Sequence, residues 1–422
     1  MPKTTTISSQ TNCTIQLLNS KLASELLEQW DINFIQVLTN DKPIVLADKN
    51  SHISDQVKGL QIEIKISSSA YKIDLATYSN DVILELRDLE WGVLLLINNA
   101  EYLLFCRFLD DLSPLEGLTK LSTLKLEGCV ELTDLSPLSG LAHLSNLDLW
   151  ECESLSDLSP LDCLTNLSTL NLSSCSSVSD LSPLAGLTNL RDLDLSYLNE
   201  LIDLSPLAGL TNLSRLNLGS CVELTDLSPL AGLTNLSNLS LDSCYELIDL
   251  SPLAGLTNLR DLDLSDLNEL IDLSLLAGLN NLSTLNLRSC SALIDLSPLA
   301  GLTNLSTLNL GYCDELIDIS PLAGLNNLST LDLSKCKNLS DLRPLDCLTN
   351  LCSLSLSSDE LIDLSPLAGL TNLSTLDLSN CKNLIDLSPL AGLKNLSYIN
   401  SYDCSSLSEK SKEMIKELKV KK

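Results

Sequence analysis

From Asp180 to Leu190 the chain reads DLSPLAGLTNL, and the same stretch returns unchanged at 203–213, 226–236, 249–259, 295–305 and 363–373. Working outward, Asp-Leu-Ser-Pro-Leu or a near variant begins at Asp111, Asp134, Asp157, Asp180, Asp203, Asp226, Asp249, Asp272, Asp295, Asp318, Asp341, Asp363 and Asp386. The step is 23 residues throughout, except for one step of 22 into Asp363. Each unit opens with Leu-x-x-Leu-x-Leu-x-x-Cys, as in Leu121, Leu124, Leu126 and Cys129, and closes on Gly-Leu plus two linking residues. A fixed period of this length marks a repeat array, in which one unit cannot bury its apolar face alone.

Two periods inside the unit give its shape. Leu124 and Leu126 are two residues apart, so they share one side of an extended segment and Lys125 faces the other. That predicts one short strand per unit, with a buried and an open face. Ser136-Pro137 then reads as a helix start, with the serine capping a free amide, proline tolerated at the first position and Gly140 permitting the stop. The unit is too short for a full α-helix on its return path, so 3₁₀ turns are expected there. Parallel strands stacked at about 4.8 Å would make a sheet about 60 Å long.

The composition agrees. Of 422 residues only 14 are Phe, Trp or Tyr, so the core must be regular and aliphatic. Net charge is −4 over 1–108, −28 over 109–404 and +3 over 405–422. A middle this acidic repels phosphate backbones and anionic lipid, which argues against nucleic acid and membrane as partners and for a basic protein. The opening residues lack an apolar segment of signal-peptide type, and the longest apolar run, Val93 to Ile97, is too short to span a bilayer. A soluble chain is expected, cytoplasmic, with export to a host by a signal-peptide-independent route as the alternative. Fifteen cysteines without a CxxC pair, most at one fixed repeat position, point to packing in a reducing compartment.

With the leucine pattern and DLSPLAGLTNL together, residues 109–404 closely resemble the leucine-rich-repeat family, in its bacterial internalin-like class. At the ladder position Cys-x-x-Leu stands where that class usually has Asn-x-Ile, and so is similar to the cysteine-containing repeats of other branches. The resemblance implies an α/β solenoid: a right-handed horseshoe or arc with a parallel β-sheet on the concave face and short 3₁₀ turns on the convex face. It also implies a non-enzymatic module that binds a protein partner through its strand face. The array would hold about 13 units, preceded by an N-terminal cap or small α+β domain over 1–108 and followed by a capping helix over 405–422.

Stacked thiols could form a metal or redox column. The ladder holds Cys106, Cys129, Cys152, Cys175, Cys221, Cys244, Cys290, Cys313, Cys336, Cys381 and Cys404, with Leu198, Leu267 and Asp359 as exceptions. Leucine can replace a packing residue but not a ligand, so the favoured reading is a buried thiol whose weak S–H donor meets a backbone carbonyl. The aspartate column invites a calcium reading, but Asp-x-Ser also fits an Asx turn in which the carboxylate accepts a backbone amide. No metal and no cofactor is assigned. The Asn-Leu-Ser sequons at Asn166, Asn212 and Asn235 follow from a need for Asn before the first strand leucine.

Catalysis has little to work with inside the repeats. Of the two histidines, His143 stands where later units have Asn189 or Asn212 and reads as a loop substitution, His52 has no recognisable partners, and there is no phosphate loop, HExxH or GxSxG. The central column of the open strand face is small, polar and acidic, running Lys125, Asp148, Asn171, Asp194 and onward to Asn400. Binding energy concentrates in aromatics and arginine, so the candidate partner-binding residues are Trp150, Glu151, Tyr197, Arg215, Arg288, Tyr312, Tyr398 and Tyr402. A monomer is expected.

At the N-terminal end, Ile15, Leu18, Leu22, Leu26 and Trp30 predict an amphipathic helix over 14–30. Period-two runs then predict strands at Ile62 to Ile66, Tyr71 to Leu75, Val82 to Leu86, Val93 to Ile97 and Tyr102 to Phe108. At the far end Ser406 to Glu409 reads as a capping box before Met414, Ile415 and Leu418. Two other functions fit the sequence: an effector whose activity lies in 1–108 with the repeats as targeting module, and a structural spacer.

Overall fold

The computed structural model describes short segments between residues 5 and 119 and the chain continuously over 121–420, with side chains to 417. The chain divides into two compact units, 1–178 and 179–422. In the first, β1 (Thr5–Ser8), β2 (Thr14–Leu17) and β7 (Leu95–Ile97) form an antiparallel sheet, with β2 between the other two. A second antiparallel sheet is built from β3 (Phe34–Thr39), β4 (Lys42–Asp48), β5 (Gln61–Ile66) and β6 (Ser69–Asp74). β8 (Tyr102–Leu103) then pairs in parallel with β9 (Thr123–Lys125), and β9 with β10 (Asn146–Asp148), which pairs with β11 (Thr169–Asn171).

The helix expected over 14–30 is not what its first residues form. Thr14-Ile15-Gln16-Leu17 also alternates at period two, and two strands flank it, so pairing decides for a strand. Residues 18–30 and 82–86 lie outside the described residues, as does Cys106.

The second unit holds ten parallel three-residue strands, from β12 (Asp192–Asp194) to β21 (Tyr398–Asn400). Neighbouring strands align leucine on leucine, as Leu216 does on Leu239. One coil shows why. Leu213, Leu216, Leu218, Cys221, Leu224, Leu227, Leu230 and Leu233 are all buried, close to one apolar side chain every third residue. The backbone bends at the same period: the amide of Leu224 donates to Cys221, Leu230 to Leu227, Leu233 to Leu230 and Leu236 to Leu233, at 2.9–3.2 Å. Each bend returns a leucine to the interior, so the turn bonds and the burial pattern enforce one another.

The return path carries 3₁₀ turns such as Ser228–Leu230, as the unit length requires. Their start differs from the expected one. The residue before the turn, Leu227, offers no side-chain cap; Asp226 supplies it, accepting the Ser228 amide on Oδ1 at 2.8 Å and the Ser228 hydroxyl on Oδ2 at 2.9 Å. A carboxylate reaches forward two residues to hold the amide, a turn that a serine hydroxyl makes more weakly. Glycine does not set the stop either. Gly140, Gly186 and Gly232 lie outside the left-handed region and a Cβ there would meet nothing, so the turn ends because the next leucine must point inward.

Adjacent coils are joined by side chains as well as strands. Asn212, Asn235 and Asn258 donate their side-chain amides to the carbonyls of Thr188, Thr211 and Thr234, at 2.8–2.9 Å, each 24 residues back. Two residues on, Ser214 and Ser237 donate their hydroxyls to Arg191 and Ser214. The Asn-Leu-Ser sequon is thus an inter-coil clamp, with the leucine buried between two outward donors.

The last coil is closed by α1 (Glu409–Val420). The cap falls two residues later than the sequence suggests: Ser408 Oγ, not Ser406, accepts the Ser411 amide at 3.2 Å. Ser411 is only 2% exposed, and its hydroxyl donates to Ile385 while accepting the Leu387 amide. Ile415 and Leu407 are buried beside it. One serine therefore satisfies the backbone that a further coil would have covered.

Candidate protein-binding face

Each strand shows two side chains outward, around the buried leucine, and the two positions after the buried exit leucine add two more columns. The second outward position of the strand holds the acidic column that looked most open in sequence. It is occupied by the protein itself. Asp194, Asn217, Asp263, Asn286, Asn309, Asp332 and Asp377 each accept the backbone amide two residues on, at 2.7–3.1 Å. Asn217, Asn286 and Asn400 donate sideways to Asp194, Asp263 and Asp377 of the preceding coil, at 3.0–3.1 Å. These side chains turn the chain out of the strand and are half-buried in doing so. In the first unit, burial pushes the Asp148 carboxyl up to about 6, with Glu127 adding to the rise and the Trp150 amide and Lys125 opposing it.

The next column has small residues where the coils crowd. A Cβ on Gly219 would collide with the Asp242 carboxylate. Larger side chains at this position stand at Trp150, Arg288 and Tyr402, the last of them 76% exposed. The following column is left-handed: Glu151, Ser174, Tyr197, Ser220, Ser243, Asp266, Ser289, Tyr312, Lys335, Asn380 and Asp403 all have φ of 57–63°. Such a φ costs an L-residue about 1–2 kcal/mol relative to glycine, least for Asn and Asp.

The eight candidates fall at three positions of the repeat unit. Trp150 and Glu151 are half-buried neighbours in the first unit. In the second unit, Tyr197 is 55% exposed on a left-handed residue. Arg215 stands at the first outward position of its strand, with an exposed ion pair to Asp192 at 3.5 Å. Arg288 and Tyr312, on adjacent coils, come together: the guanidinium carbon lies 4.5 Å from the ring centre. Tyr398 and Tyr402 are both exposed on the last coil, and the Tyr402 amide donates to Asn400. Sequence reasoning missed Lys335, a third large residue in the left-handed column, which becomes visible only once the residue before each ladder cysteine is lined up.

Behind this face lies the cysteine ladder. Cys221, Cys244, Cys290, Cys313 and Cys336 donate S–H to the carbonyls of Leu195, Leu218, Leu264, Leu287 and Leu310, at 3.1–3.3 Å and 26 residues back. Burial pushes the thiols of Cys221, Cys244, Cys290 and Cys336 up to about 12. They are packing donors, not thiolates. The rung between Cys336 and Cys381 is Ser358, and not Asp359, which a 23-residue step from Cys336 predicts. Ser358 is buried and its carbonyl receives the Leu361 amide, as Cys336 receives Leu339, whereas Asp359 is exposed and pairs with Lys382 at 3.5 Å. The outer aspartates likewise spend their carboxylates on their own turns, Asp249 and Asp295 each holding the serine amide two residues on at 2.8 Å. Among the described residues no group of three or more His, Cys, Asp or Glu is placed to hold a metal ion.

No protein-family model matches the chain, and no curated protein sequence matches it. Solved structures do. An internalin of Listeria monocytogenes, internalin F, is 35% identical with a TM-score of 0.59, over 67% of this chain and 81% of its own. A leucine-rich-repeat protein of Leptospira interrogans shares the fold at 22% identity and a TM-score of 0.54, over 72% of this chain and 83% of its own.

Proposed function

The chain belongs to the leucine-rich-repeat family, in its internalin-like class, and on that premise we propose that it is a non-enzymatic interaction module that captures a protein partner of basic character on its strand face. The observation that carries this reading is the placing of Tyr197 and Tyr312. Both are exposed, both stand at left-handed residues where serine serves in sibling coils, and neither fills the core. Arg288, held over Tyr312, pre-orders a flat cationic and aromatic pair of the kind that dominates protein interfaces. The committed Asp and Asn column on the strands supplies a fixed acidic background that favours a basic approach. The exposed cysteines Cys163, Cys347 and Cys352 support a compartment that keeps thiols reduced.

The test is capture of partners by the full chain, identified by mass spectrometry, against a Tyr197→Ser, Arg288→Ser, Tyr312→Ser variant. Serine is native at equivalent positions in other coils, so folding is expected to hold. Loss of a specific basic protein from the variant supports the reading; equal recovery by both chains removes it.

A further inference from the structure

The residue before each outer aspartate is free to vary. It is Thr133, Ser156, Ser179, Thr225 and Ser340 in five coils, so the fold accepts a small polar side chain there. Yet it is isoleucine at Ile202, Ile248, Ile271, Ile294, Ile317, Ile362 and Ile385, and every one of these is 56–76% exposed. Four fall on consecutive coils, 248, 271, 294 and 317, whose 3₁₀ turns pack on one another in order. An unbroken row of exposed β-branched side chains is unlike the scattered apolar residues of an ordinary surface.

The row is bordered by charge. Immediately after each isoleucine comes an exposed carboxylate, Asp249, Asp272, Asp295 or Asp318, fixed by its bond to the serine amide two residues on, at 2.8 Å. Two residues before it, on the other side, stand exposed Glu246, Glu269 and Glu315, with Ala292 in the remaining coil. Because position along the chain is position around the coil, these make parallel columns: glutamate, isoleucine, aspartate. Coils repeat at about the spacing of strands, roughly 4.8 Å, and an α-helix advances about 5.4 Å per turn, so one helical turn meets one coil.

We infer that the Ile248, Ile271, Ile294 and Ile317 row is a second protein-docking surface, separate from the strand face, and that its occupant is an amphipathic helix of a partner with one apolar stripe flanked by lysine or arginine. The apolar stripe would cover the isoleucines, and the basic flanks would meet the two carboxylate columns. A second copy of this chain fits poorly, since the same two acidic columns would face each other across the contact. The inference stands on residues other than those of the strand-face reading and survives or fails independently of it.

The probe is a synthetic Leu/Lys amphipathic helix of about five turns, with a scrambled peptide of equal charge, titrated into the full chain by fluorescence anisotropy. The test variant is Ile248→Ser, Ile271→Ser, Ile294→Ser, Ile317→Ser, which borrows the residue of sibling coils and is checked for an unchanged thermal midpoint. Wild type should bind the helix at least about tenfold more tightly than the scrambled peptide, and the variant should lose that preference. A Tyr197→Ser, Tyr312→Ser chain should keep it. The inference is overturned if the serine variant binds like wild type, if the tyrosine variant is the one that fails, if wild type does not bind, or if wild type self-associates through the row in preference to the peptide.

Discussion

The coil from Cys313 to Cys336 takes 23 residues; the next, from Cys336 to Ser358, takes 22. In the longer coil a left-handed residue, Lys335, precedes the rung, whereas no residue between Lys335 and Asn380 has positive φ among those described. The deletion has removed the left-handed residue. The turn bond from Leu361 to Ser358 persists, and so does the following rung bond, but Cys381 now reaches Leu356 across 25 residues at 3.5 Å instead of across 26 at 3.1–3.2 Å, as in Cys336 to Leu310 and Cys313 to Leu287. Register is therefore held by buried leucines and their three-residue bends, while the loop between strand and rung is adjustable. That adjustable loop is also the one that carries Tyr197, Tyr312 and Lys335 outward.

The largest test of this contrast is alkali. Burial pushes the thiols of Cys221, Cys244, Cys290, Cys336 and Cys381 up to about 12 from 9.0. Since the folded state holds these protons more tightly, their contribution is complete below about pH 9 and is lost as pH rises toward about 12, on the order of 1–4 kcal/mol per rung. Circular dichroism should show a cooperative alkaline unfolding in that range. A Cys221→Ser, Cys244→Ser chain, given the short coil's own rung residue, should unfold at higher pH; an unmoved transition would break the comparison.

Next in size is the core. Leu239→Ala in a regular coil should cost about 2–5 kcal/mol through lost burial and a cavity, read as a lower thermal midpoint. Leu361→Ala in the short coil should cost less, because a loop that has already absorbed a deletion can collapse onto the void. Equal losses would show the short coil to be packed as rigidly as its neighbours.

Rung chemistry is a smaller effect. Cys313→Ala should cost about 1 kcal/mol by removing the second donor of the Leu287 carbonyl, which keeps the Cys290 amide, whereas Ser358→Cys should be neutral or stabilising by up to about 1 kcal/mol. Denaturant titration of the three chains distinguishes the outcomes. Smallest of all, Tyr312→Gly should gain about 0.5–1 kcal/mol by relieving a left-handed φ, while Ser358→Gly, with no such φ to relieve, should lose a similar amount. A gain at both positions would mean that the short coil is strained too.

Much of this was legible before any coordinates. Leu124 and Leu126 predict the strand, the unit length predicts 3₁₀ turns, and leucine at two rungs predicts thiols that pack and donate to carbonyls. Other features were not. Counting forward from Cys336 gives Asp359 as the rung and counting back from Cys381 gives Ser358, and the burial of Ser358 with its bond from Leu361 decides between them. The acidic strand column reads as an open binding surface, yet Asp194 and Asp263 are turned to their own backbones. Thr14 to Leu17 satisfies helix and strand periods alike, and flanking strands decide. The candidate aromatics could be named from sequence because they break the repeat, but the contact of Arg288 with Tyr312 could not.

By itself the sequence determined which side chains leave water, because burial in this chain follows a spacing of two and three residues that a single coil enforces locally. Only the tertiary structure decided what the polar groups do, since an aspartate or asparagine has several partners within reach and the choice depends on a carbonyl or amide that the neighbouring coil, some 23 residues away, brings alongside. The same dependence leaves the isoleucine row meaningful: the coils stack, and nothing among the described residues of the stack covers it.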